Sequence, residues 1–306
     1  MKLSVDSFDR ASRFVRTLAR PLEQALFSHH FEQPAAEAVV EALDAFRNPD
    51  GGFGKALEPD LRCDDSSVLC TTTALQTLHE LDAAPDEPMA LGAVRYLMSA
   101  YDKKLRAWPI IPAEANRAPR APWWHHGGQK GATEHDLGNP RPEVLGYLWE
   151  YAEESVGAGL RDSLTAAVVG HLDTLGDDIE MHELLCYVRL AEARNLPRAT
   201  RGKLLGKLTP QVTRLAAAQS AAMADYGLRP LDVAPTPESP FARAMADRIE
   251  VNLDHDIATQ HEDGSWHPNW DWSDRYPEAW SRARREWQGI LTLRRLLALR
   301  SYDRIE

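Results

Sequence analysis

The chain has 306 residues, of which 43% are apolar and 26% are charged, and its formal net charge is -11. These values are typical of a globular protein that buries a sizeable core. The excess of acidic residues argues against nucleic acid as the main partner and against docking on an anionic membrane surface, since both need a basic face.

The sequence predicts neither a membrane span nor a signal peptide. No apolar run approaches the roughly 20 residues that a transmembrane helix needs, and Asp6 and Asp9 stand where a signal peptide would have its apolar core. The three cysteines, Cys63, Cys70 and Cys186, form no CxxC pair, which fits a reducing compartment. We therefore expect a cytoplasmic protein without an integral membrane segment.

Almost every periodic stretch carries apolar residues at intervals of three and four, which predicts helices. The first runs from about Asp6 to Phe27, and the second follows Pro34 and stops at Asn48-Pro49. Further helices are predicted at residues 66–81, after Pro88, and at 143–152, 160–175, 179–193, 201–224, 241–260 and 281–299. Since no stretch alternates apolar and polar residues for long, no strand is predicted. The fold class is therefore all-α.

The second predicted helix is followed by a glycine-rich turn and an acidic loop. The turn, residues 50–54, is interpreted as architecture, because glycine permits positive φ and the ring of Phe53 can fill a gap between helices. The charged residues of the acidic loop are Glu58, Asp60, Arg62, Asp64 and Asp65. Asp65, Ser66 and Ser67 then predict an N-cap, because their side-chain oxygens can accept hydrogen bonds from the first helical turn.

Two later loops combine tryptophan with polar residues. Prolines and glycines rule out regular structure over most of Trp108 to Pro142, and loops of this length are often functional. The later loop, at 266–278, carries three tryptophans with Asp271 and Asp274. Because repeat loops tend to emerge at one end of a repeat protein, we expect the loops at 55–65, 108–140 and 266–278 to share a rim.

An internal repeat underlies this pattern. In each copy a helix ends, an aromatic or glycine turn follows, a polar loop crosses over, and a new apolar helix begins. The copies start near Asp50, Arg106, Asp225 and Gln260. Repeated helical hairpins form either an open solenoid or a closed toroid, and about ten to twelve helices suit a closed ring of five or six hairpins.

Two short motifs resemble a known superfamily. Residues 260–266, QHEDGSW, resemble the glutamine–tryptophan repeat of squalene–hopene-type terpenoid cyclases, and residues 50–54, DGGFG, resemble its variant in protein prenyltransferase β subunits. Both families share the α/α-toroid fold. The resemblance implies a single α/α-toroid domain over residues 1–306. It leaves open whether a second subunit completes the site, as happens in protein prenyltransferases.

The resemblance also implies a chemistry. Class II cyclases start carbocation chemistry with an aspartic acid in a DxDD motif, which follows a glycine–aromatic turn and leads into a helix. Aligned on the helix start, Asp64 and Asp65 match the last two aspartates, but Arg62 stands at the first. Aligned on Pro59-Asp60, the first aspartate matches and two residues are inserted. An arginine at this place would favour the ionised carboxylate.

The acidic loop also suggests acid–base chemistry by itself. Closely spaced carboxylates can serve as general acid and base when their neighbours separate their pKa values. The candidate catalytic residues are Glu58, Asp60, Asp64 and Asp65. The alternative is that Asp65 or Ser66 only caps the helix and that Arg62 closes the loop by an ion pair with Glu58 or Asp60.

The candidate substrate-binding residues are aromatic or polar residues of the three loops: Arg62, Trp123, Trp124, His125, His126, Asp136, Trp270, Asp271 and Trp272. Tryptophan rings can hold a cationic intermediate by cation–π attraction, or they can simply anchor a loop. The spacing of His125, His126, His135 and Asp136 fits no structural zinc site. Neither a metal nor another cofactor is predicted.

Three functions remain. The first is an enzyme that carries out acid-initiated cyclisation, or a related lyase or isomerase step, on an apolar isoprenoid-like small molecule in a central cavity. The second is a carbohydrate-active α/α barrel, in which Asp60 would work with Asp136 or Asp271 as acid and base. The third is a non-catalytic toroid that binds a partner. Exposed tryptophans in an open cleft would favour the second function over the first.

Overall fold

The computed structural model describes residues 1–127, 137–151, 158–176, 179–217 and 220–306. Within these ranges the chain forms α-helices, short 3₁₀ turns and isolated β-bridges. No β-strand extends beyond a single bridge in these ranges. The predicted all-α class is confirmed. The closed toroid stays a prediction.

Twelve α-helices lie in the described ranges: α1 (Val5–Leu18), α2 (Pro21–Phe31), α3 (Ala36–Asp44), α4 (Val68–Glu80), α5 (Pro88–Ser99), α6 (Arg141–Tyr151), α7 (Ala158–Thr174), α8 (Met181–Glu192), α9 (Arg198–Leu215), α10 (Pro230–Val233), α11 (Ala246–Ala258) and α12 (Pro277–Ser301). They belong to two compact units. Unit 1 comprises Met1–Ala45 and Val212–Glu306, and unit 2 comprises Phe46–Gln211. Among the described helices, none is both long enough and apolar enough to cross a bilayer.

The start of α4 agrees with the predicted cap. Ser67 is the N-cap residue, and its Oγ accepts a hydrogen bond from the backbone N–H of Cys70 at 3.0 Å. This bond satisfies one of the donors that the first turn of a helix leaves without a partner. Ser67, rather than Asp65 or Ser66, therefore caps the helix.

The prediction of one helix from Asp6 to Phe27 is wrong, because the chain breaks between α1 and α2. Ala19 and Arg20 are extended, with ψ of 166° and 156°, and Pro21 is the first residue of α2. A proline ring disfavours helical backbone at the preceding residue, but its fixed φ suits the first turn of a new helix. The apolar stripe continues across the break and concealed it.

Unit 2 is organised around α6, which packs against α4, α5, α7 and α8. Gln76 and His79 of α4 hydrogen-bond to Glu143 and Glu150 of α6, at 2.8 and 3.0 Å. Because the contacts advance in the same direction along both helices, α4 and α6 run parallel. Nearly the whole surface of α6 is buried, including both carboxylates.

The helices α7 and α8 run in opposite directions. Glu183 near the start of α8 contacts His171 of α7 at 3.0 Å, and the hydroxyl of Tyr187 donates to the carbonyl of Val168 at 3.2 Å. The contacts thus advance along α8 while they recede along α7. The two helices are therefore antiparallel.

In unit 1, α1 packs against α2 and α12, and α2 also packs against α3 and α12. The two ends of the chain meet there. The N–H of Glu306 donates to the carbonyl of Leu3 at 3.1 Å, and the amino group of Met1 lies 2.8 Å from Asp254. The terminal segments therefore belong to the packed structure of this unit.

Candidate functional site

The glycine-rich turn is a packing joint between helices of unit 2. Asp50 Oδ1 accepts a hydrogen bond from the N–H of Gly52 at 2.9 Å, and Gly51 has a φ of +87°. A side chain at Gly51 would collide with the backbone of α5. Phe53 is fully buried, and its N–H donates to Thr71 Oγ1 of α4 at 3.0 Å. This geometry supports the interpretation of the turn as architecture.

The turn at 263–266 in unit 1 repeats this construction. Asp263 Oδ1 accepts a hydrogen bond from the N–H of Ser265 at 2.9 Å, and Gly264 has a φ of +88°. A side chain at Gly264 would collide with the backbone of α1. Trp266 is buried, and its N–H donates to Thr292 Oγ1 of α12 at 3.1 Å. The first and fourth copies of the sequence repeat thus form the same local structure.

The four candidate catalytic carboxylates differ in burial. Asp60 is 2% exposed and Glu58 is half-buried, whereas Asp64 and Asp65 are exposed. Asp65 Oδ2 accepts a hydrogen bond from the thiol of Cys63 at 3.5 Å. Asp64 and Asp65 are therefore open to water, and Asp60 is the only one of the four that is fully buried.

The two cysteines near this loop are poor nucleophiles. Burial raises the pKa of the Cys63 thiol to about 11 and that of the Cys70 thiol to about 11. Since the thiolate is the reactive form, neither side chain is activated near neutral pH.

Backbone hydrogen bonds join the acidic loop to the tryptophan-containing loop within unit 2. The N–H of Ala121 donates to the carbonyl of Asp60 at 2.9 Å, and the N–H of Arg62 donates to the carbonyl of Pro119 at 3.1 Å. The backbone of Asp60 is therefore fixed to the segment that leads directly into Trp123 and Trp124. Two of the three predicted loops are adjacent.

A 3₁₀ turn, Pro122–Trp124, positions both tryptophans. Trp123 is 37% exposed. Trp124 is half-buried, and its indole Nε1 is buried without a hydrogen-bond partner among the described residues. His125 Nδ1 lies 2.6 Å from Nη2 of Arg120, a side chain that is only 5% exposed. Arg120 was not predicted from the sequence.

Two other predicted binding residues contact backbone atoms. The backbone carbonyl and N–H of His126 form two hydrogen bonds of 3.0 Å with the side-chain amide of Asn116. The ring Nδ1 of His126 lies 3.3 Å from the carbonyl of Ile111. Arg62 donates from Nη1 to the carbonyl of Pro59 at 3.3 Å. These contacts hold the two loops in shape.

The third predicted loop lies in unit 1, where its tryptophans pack on other aromatic rings. Trp270 stands edge-on to Trp287 at 5.0 Å and to Tyr226 at 5.8 Å between ring centroids. Trp272 is buried and lies 5.5 Å from Trp280. Tyr226 is 59% exposed, so one side of this aromatic group faces water.

The structure does not test whether the acidic residues of the later loops work as an acid–base pair with Asp60. Asp271 is exposed, and hydrogen bonds from Ser273 lower the pKa of its carboxyl. Asp136 and His135 lie outside the described residues. The shared rim of three loops and the acid pairs of Asp60 with Asp136 or Asp271 therefore stay predictions.

Sequence reasoning missed a buried polar network on α6. Glu143 is 3% exposed, and its carboxylate accepts hydrogen bonds from Gln76 at 2.8 Å, from Tyr147 at 3.0 Å and from Arg189 at 2.8 Å. The signal was the spacing of polar residues at 143, 147 and 150, which puts them on one face of a helix. The same spacing is equally common on exposed helix faces, so it does not predict that these side chains are buried.

A second group of titratable residues lies at the C-terminal ends of α4, α6 and α8. Glu150 is 3% exposed and accepts a hydrogen bond from the backbone N–H of Arg194 at 2.9 Å. The hydrogen bond with Glu150 raises the pKa of His79. Burial raises the pKa of Glu192 to about 7. Of these groups, Glu192 therefore changes charge near neutral pH.

The described part of the chain holds no group of three or more His, Cys, Asp or Glu side chains arranged to bind a metal ion. A surface cavity of about 320 Å³ in unit 1 is lined by Arg243, Asp247, Glu250 and Tyr302, among others, and by none of the predicted site residues. Its lining offers no counterpart to the chemistry of the acidic loop.

Comparisons with models of protein families, with curated proteins and with solved structures gave no significant match to this chain. The likeness to terpenoid cyclases and prenyltransferase β subunits therefore rests on the motifs at 50–54 and 260–266. Function has to be inferred from the residues themselves.

Proposed function

We propose that the chain is an enzyme that carries out acid-initiated chemistry, a cyclisation or a related isomerase or lyase step, on a largely apolar isoprenoid-like substrate. The observation that supports this most is the position of Asp60. Its side chain is 2% exposed, and its backbone is bonded to the segment that leads into Trp123 and Trp124. This backbone contact supports the proposal, because it joins the loop of the acid to the segment that carries the aromatic rings.

In the proposed reaction, the carboxylic acid of Asp60 gives its proton to one carbon of a substrate double bond. The π electrons form the new C–H bond, and the neighbouring carbon becomes a cation. The faces of Trp123 and Trp124 stabilise that cation by cation–π attraction. If a proton then leaves directly to a base, the product is isomerised. If a second π bond attacks the cation first, a new cation forms, and its loss of a proton to a base gives the cyclised product.

The acid is assigned to Asp60 because an exposed carboxyl would lose its proton to water at neutral pH. Asp64 and Asp65, which match the last two aspartates of the cyclase motif, are both exposed. In water a carboxyl group ionises near pH 4, so it is rarely protonated at neutral pH. A buried carboxyl keeps its proton more readily.

The test compares Asp60→Asn with Asp64→Asn and Asp65→Asn, which alter the same loop at exposed positions. Each variant is incubated with linear isoprenoids, and products are separated by gas chromatography with mass spectrometry. We expect Asp60→Asn to lose turnover by about 100-fold or more, as when a general acid is removed, and the other two variants to keep most of it. Thermal unfolding of each variant shows whether a loss of activity is a loss of fold. Unchanged turnover in a folded Asp60→Asn variant would contradict the assignment.

One observation favours a carbohydrate-active protein as the second candidate. Trp123 is 37% exposed in unit 2, where Asp64 and Asp65 are also open to water. An exposed indole can stack on a sugar face, and carboxylates can accept hydrogen bonds from sugar hydroxyls. Titration with neutral oligosaccharides distinguishes the two candidates. If the protein binds sugars, the oligosaccharides should quench the tryptophan fluorescence of the wild type, and this quenching should be absent in Trp123→Ala.

A non-catalytic binding role is the third candidate. It takes precedence if neither isoprenoids nor sugars bind and if Asp60→Asn only lowers the melting temperature. In that case the buried carboxyl stabilises the loop, and no substrate chemistry remains for it.

A further inference from the structure

The segment from Arg120 to His125 contains hydrogen-bond donors that have no acceptor. Arg120 donates from Nη1 to three backbone carbonyls of residues 115–118 at 3.1 to 3.3 Å, but its Nε is buried and has no partner among the described residues. Trp124 Nε1 is in the same condition four residues later. Buried donors in native proteins nearly always have an acceptor, so two in one short segment indicate that an acceptor is missing.

The charge of Arg120 is also uncompensated by the described residues around it. Its partners are backbone carbonyls and His125, and none is a carboxylate. Because a guanidinium can only donate, His125 Nδ1 accepts the 2.6 Å hydrogen bond, which places the ring proton on Nε2. The ring thereby presents a third N–H. A guanidinium that is 95% buried without a counter-charge is unfavourable.

An acceptor-only group with one negative charge matches this arrangement. A carboxylate has two acceptor oxygens and forms strong hydrogen bonds with guanidinium and with neutral N–H donors. A diphosphate is a poorer match, since the segment supplies one buried cation and the adjoining loop also carries Glu58, Asp64 and Asp65. The negative charge of a diphosphate would be repelled by those carboxylates.

We propose that residues 120–125 bind the carboxylate of an apolar organic acid, with Arg120 and Trp124 as donors and the exposed ring of Trp123 against the hydrocarbon part. This rests on the proposed function, in which the same segment holds an apolar substrate, and it narrows the substrate class from neutral polyenes to carboxylic acids. The acidic group orients the substrate and leaves its double bonds for the proton donor.

The test uses three ligands with one hydrocarbon chain and different head groups: farnesoic acid, farnesol and farnesyl diphosphate. Isothermal titration calorimetry with the full chain at pH 7.5 measures each affinity. We expect farnesoic acid to bind at least about tenfold more tightly than either of the others, because only it combines one charge with a bidentate acceptor. Acetate, added as a competitor, should weaken binding of the acid and leave binding of farnesol unchanged.

A conservative variant locates the binding site. Trp124→Phe removes the Nε1 donor and keeps an aromatic ring, and Trp149→Phe is the matched control, since Trp149 Nε1 donates to Thr165 at 3.2 Å elsewhere in unit 2. We expect Trp124→Phe to weaken farnesoic acid about three- to tenfold without affecting farnesol, and Trp149→Phe to change neither. Arg120 variants are avoided, because Nη1 also holds the backbone of residues 115–118.

Each other result overturns the proposal in a distinct way. Equal affinities for farnesol and farnesoic acid would show that an apolar site exists without a carboxylate subsite, so that the proposed function survives alone. Tighter binding of the diphosphate would replace the monoanion by a polyanion. Equal effects of the two tryptophan variants would place the ligand elsewhere. Failure of all three ligands to bind would overturn the inference and the isoprenoid function together.

Discussion

At the scale of single residues, His79 and Glu150 form an ion pair that links α4 to α6. The Glu150 carboxylate is 2% exposed and lies 2.9 Å from Nδ1 of His79, whose side chain is 36% exposed. The hydrogen bond with Glu150 raises the pKa of His79. Burial would raise the pKa of Glu150, but the hydrogen bond with His79 and other favourable contacts lower it. The charged pair therefore exists in a window between the two folded pKa values.

This pair predicts how stability depends on pH. Because the folded pKa of His79 is raised, its contribution is fully present below its unfolded pKa of about 6.5 and is lost as the pH rises through the folded value. We expect His79→Gln to lower the free energy of unfolding by about 1 kcal/mol at pH 6, with a smaller effect at pH 9. Chemical denaturation from pH 5 to pH 9 measures the difference.

The matched control is His182→Gln. His182 pairs with Glu180 at 2.7 Å, but both side chains are about half exposed, so the variant should show little pH-dependent loss. A His79→Gln effect that stays constant from pH 6 to pH 9 would contradict the ion-pair interpretation.

At the scale of elements, a similar glycine turn packs between helices in each of the two units. In each unit the turn packs on one helix and hydrogen-bonds to a threonine of another: Gly51 meets α5 and Gly264 meets α1. An aspartate at the head of each turn fixes its shape. The two turns therefore obey one rule, although their loops differ in length and composition.

Alanine substitutions test that rule. Gly51→Ala and Gly264→Ala should each destabilise the protein by about 1–3 kcal/mol, because positive φ is unfavourable for alanine and the added Cβ has no space. Gly202→Ala in α9 should instead stabilise by about 0.5–1 kcal/mol, since a helical glycine with open space around it gains helix propensity. Thermal unfolding of the three variants gives both signs. Neutral effects at Gly51 and Gly264 would mean that the turns are not structural joints.

At the scale of the whole molecule, each unit has its own buried polar centre. In unit 2 the carboxylate of Glu143 receives donors from α4, α6 and α8, and Arg189 is its ionic partner at 2.8 Å. In unit 1 Asp256, which is 3% exposed, lies 3.2 Å from Arg295 and 3.5 Å from Arg229. These groups join specific positions on neighbouring helices, whereas apolar packing alone would specify the pairing of those positions less strictly.

Removing the centre of unit 2 should be costly. Glu143→Ala leaves Arg189 without its buried partner, and breaking such a pair typically costs about 3–5 kcal/mol. Glu114→Ala, at a half-exposed glutamate 3.6 Å from the exposed Arg117, should cost less than about 1 kcal/mol. Urea denaturation of both variants compares them directly. A Glu143→Ala loss as small as that of Glu114→Ala would show that the network carries little of the stability.

The sequence by itself determined the helices and the turns. Helices at the predicted positions formed because three- and four-residue spacing acts within one segment, and the Asp-Gly turns formed because φ and a near-neighbour carboxylate are local properties. The break at Pro21 was missed, because the apolar stripe continues across it, although a proline constrains the residue before it.

Only the tertiary structure decided which polar groups are buried. Asp60, Asp64 and Asp65 share one loop and look alike in sequence, but Asp60 alone is enclosed, in a segment that bonds to Pro119 and Ala121 about sixty residues away. Glu143 likewise acquired its importance from distant partners, Gln76 and Arg189. Burial, and with it acidity and the need for a counter-charge, depends on contacts between segments far apart in the chain, which local periodicity does not encode.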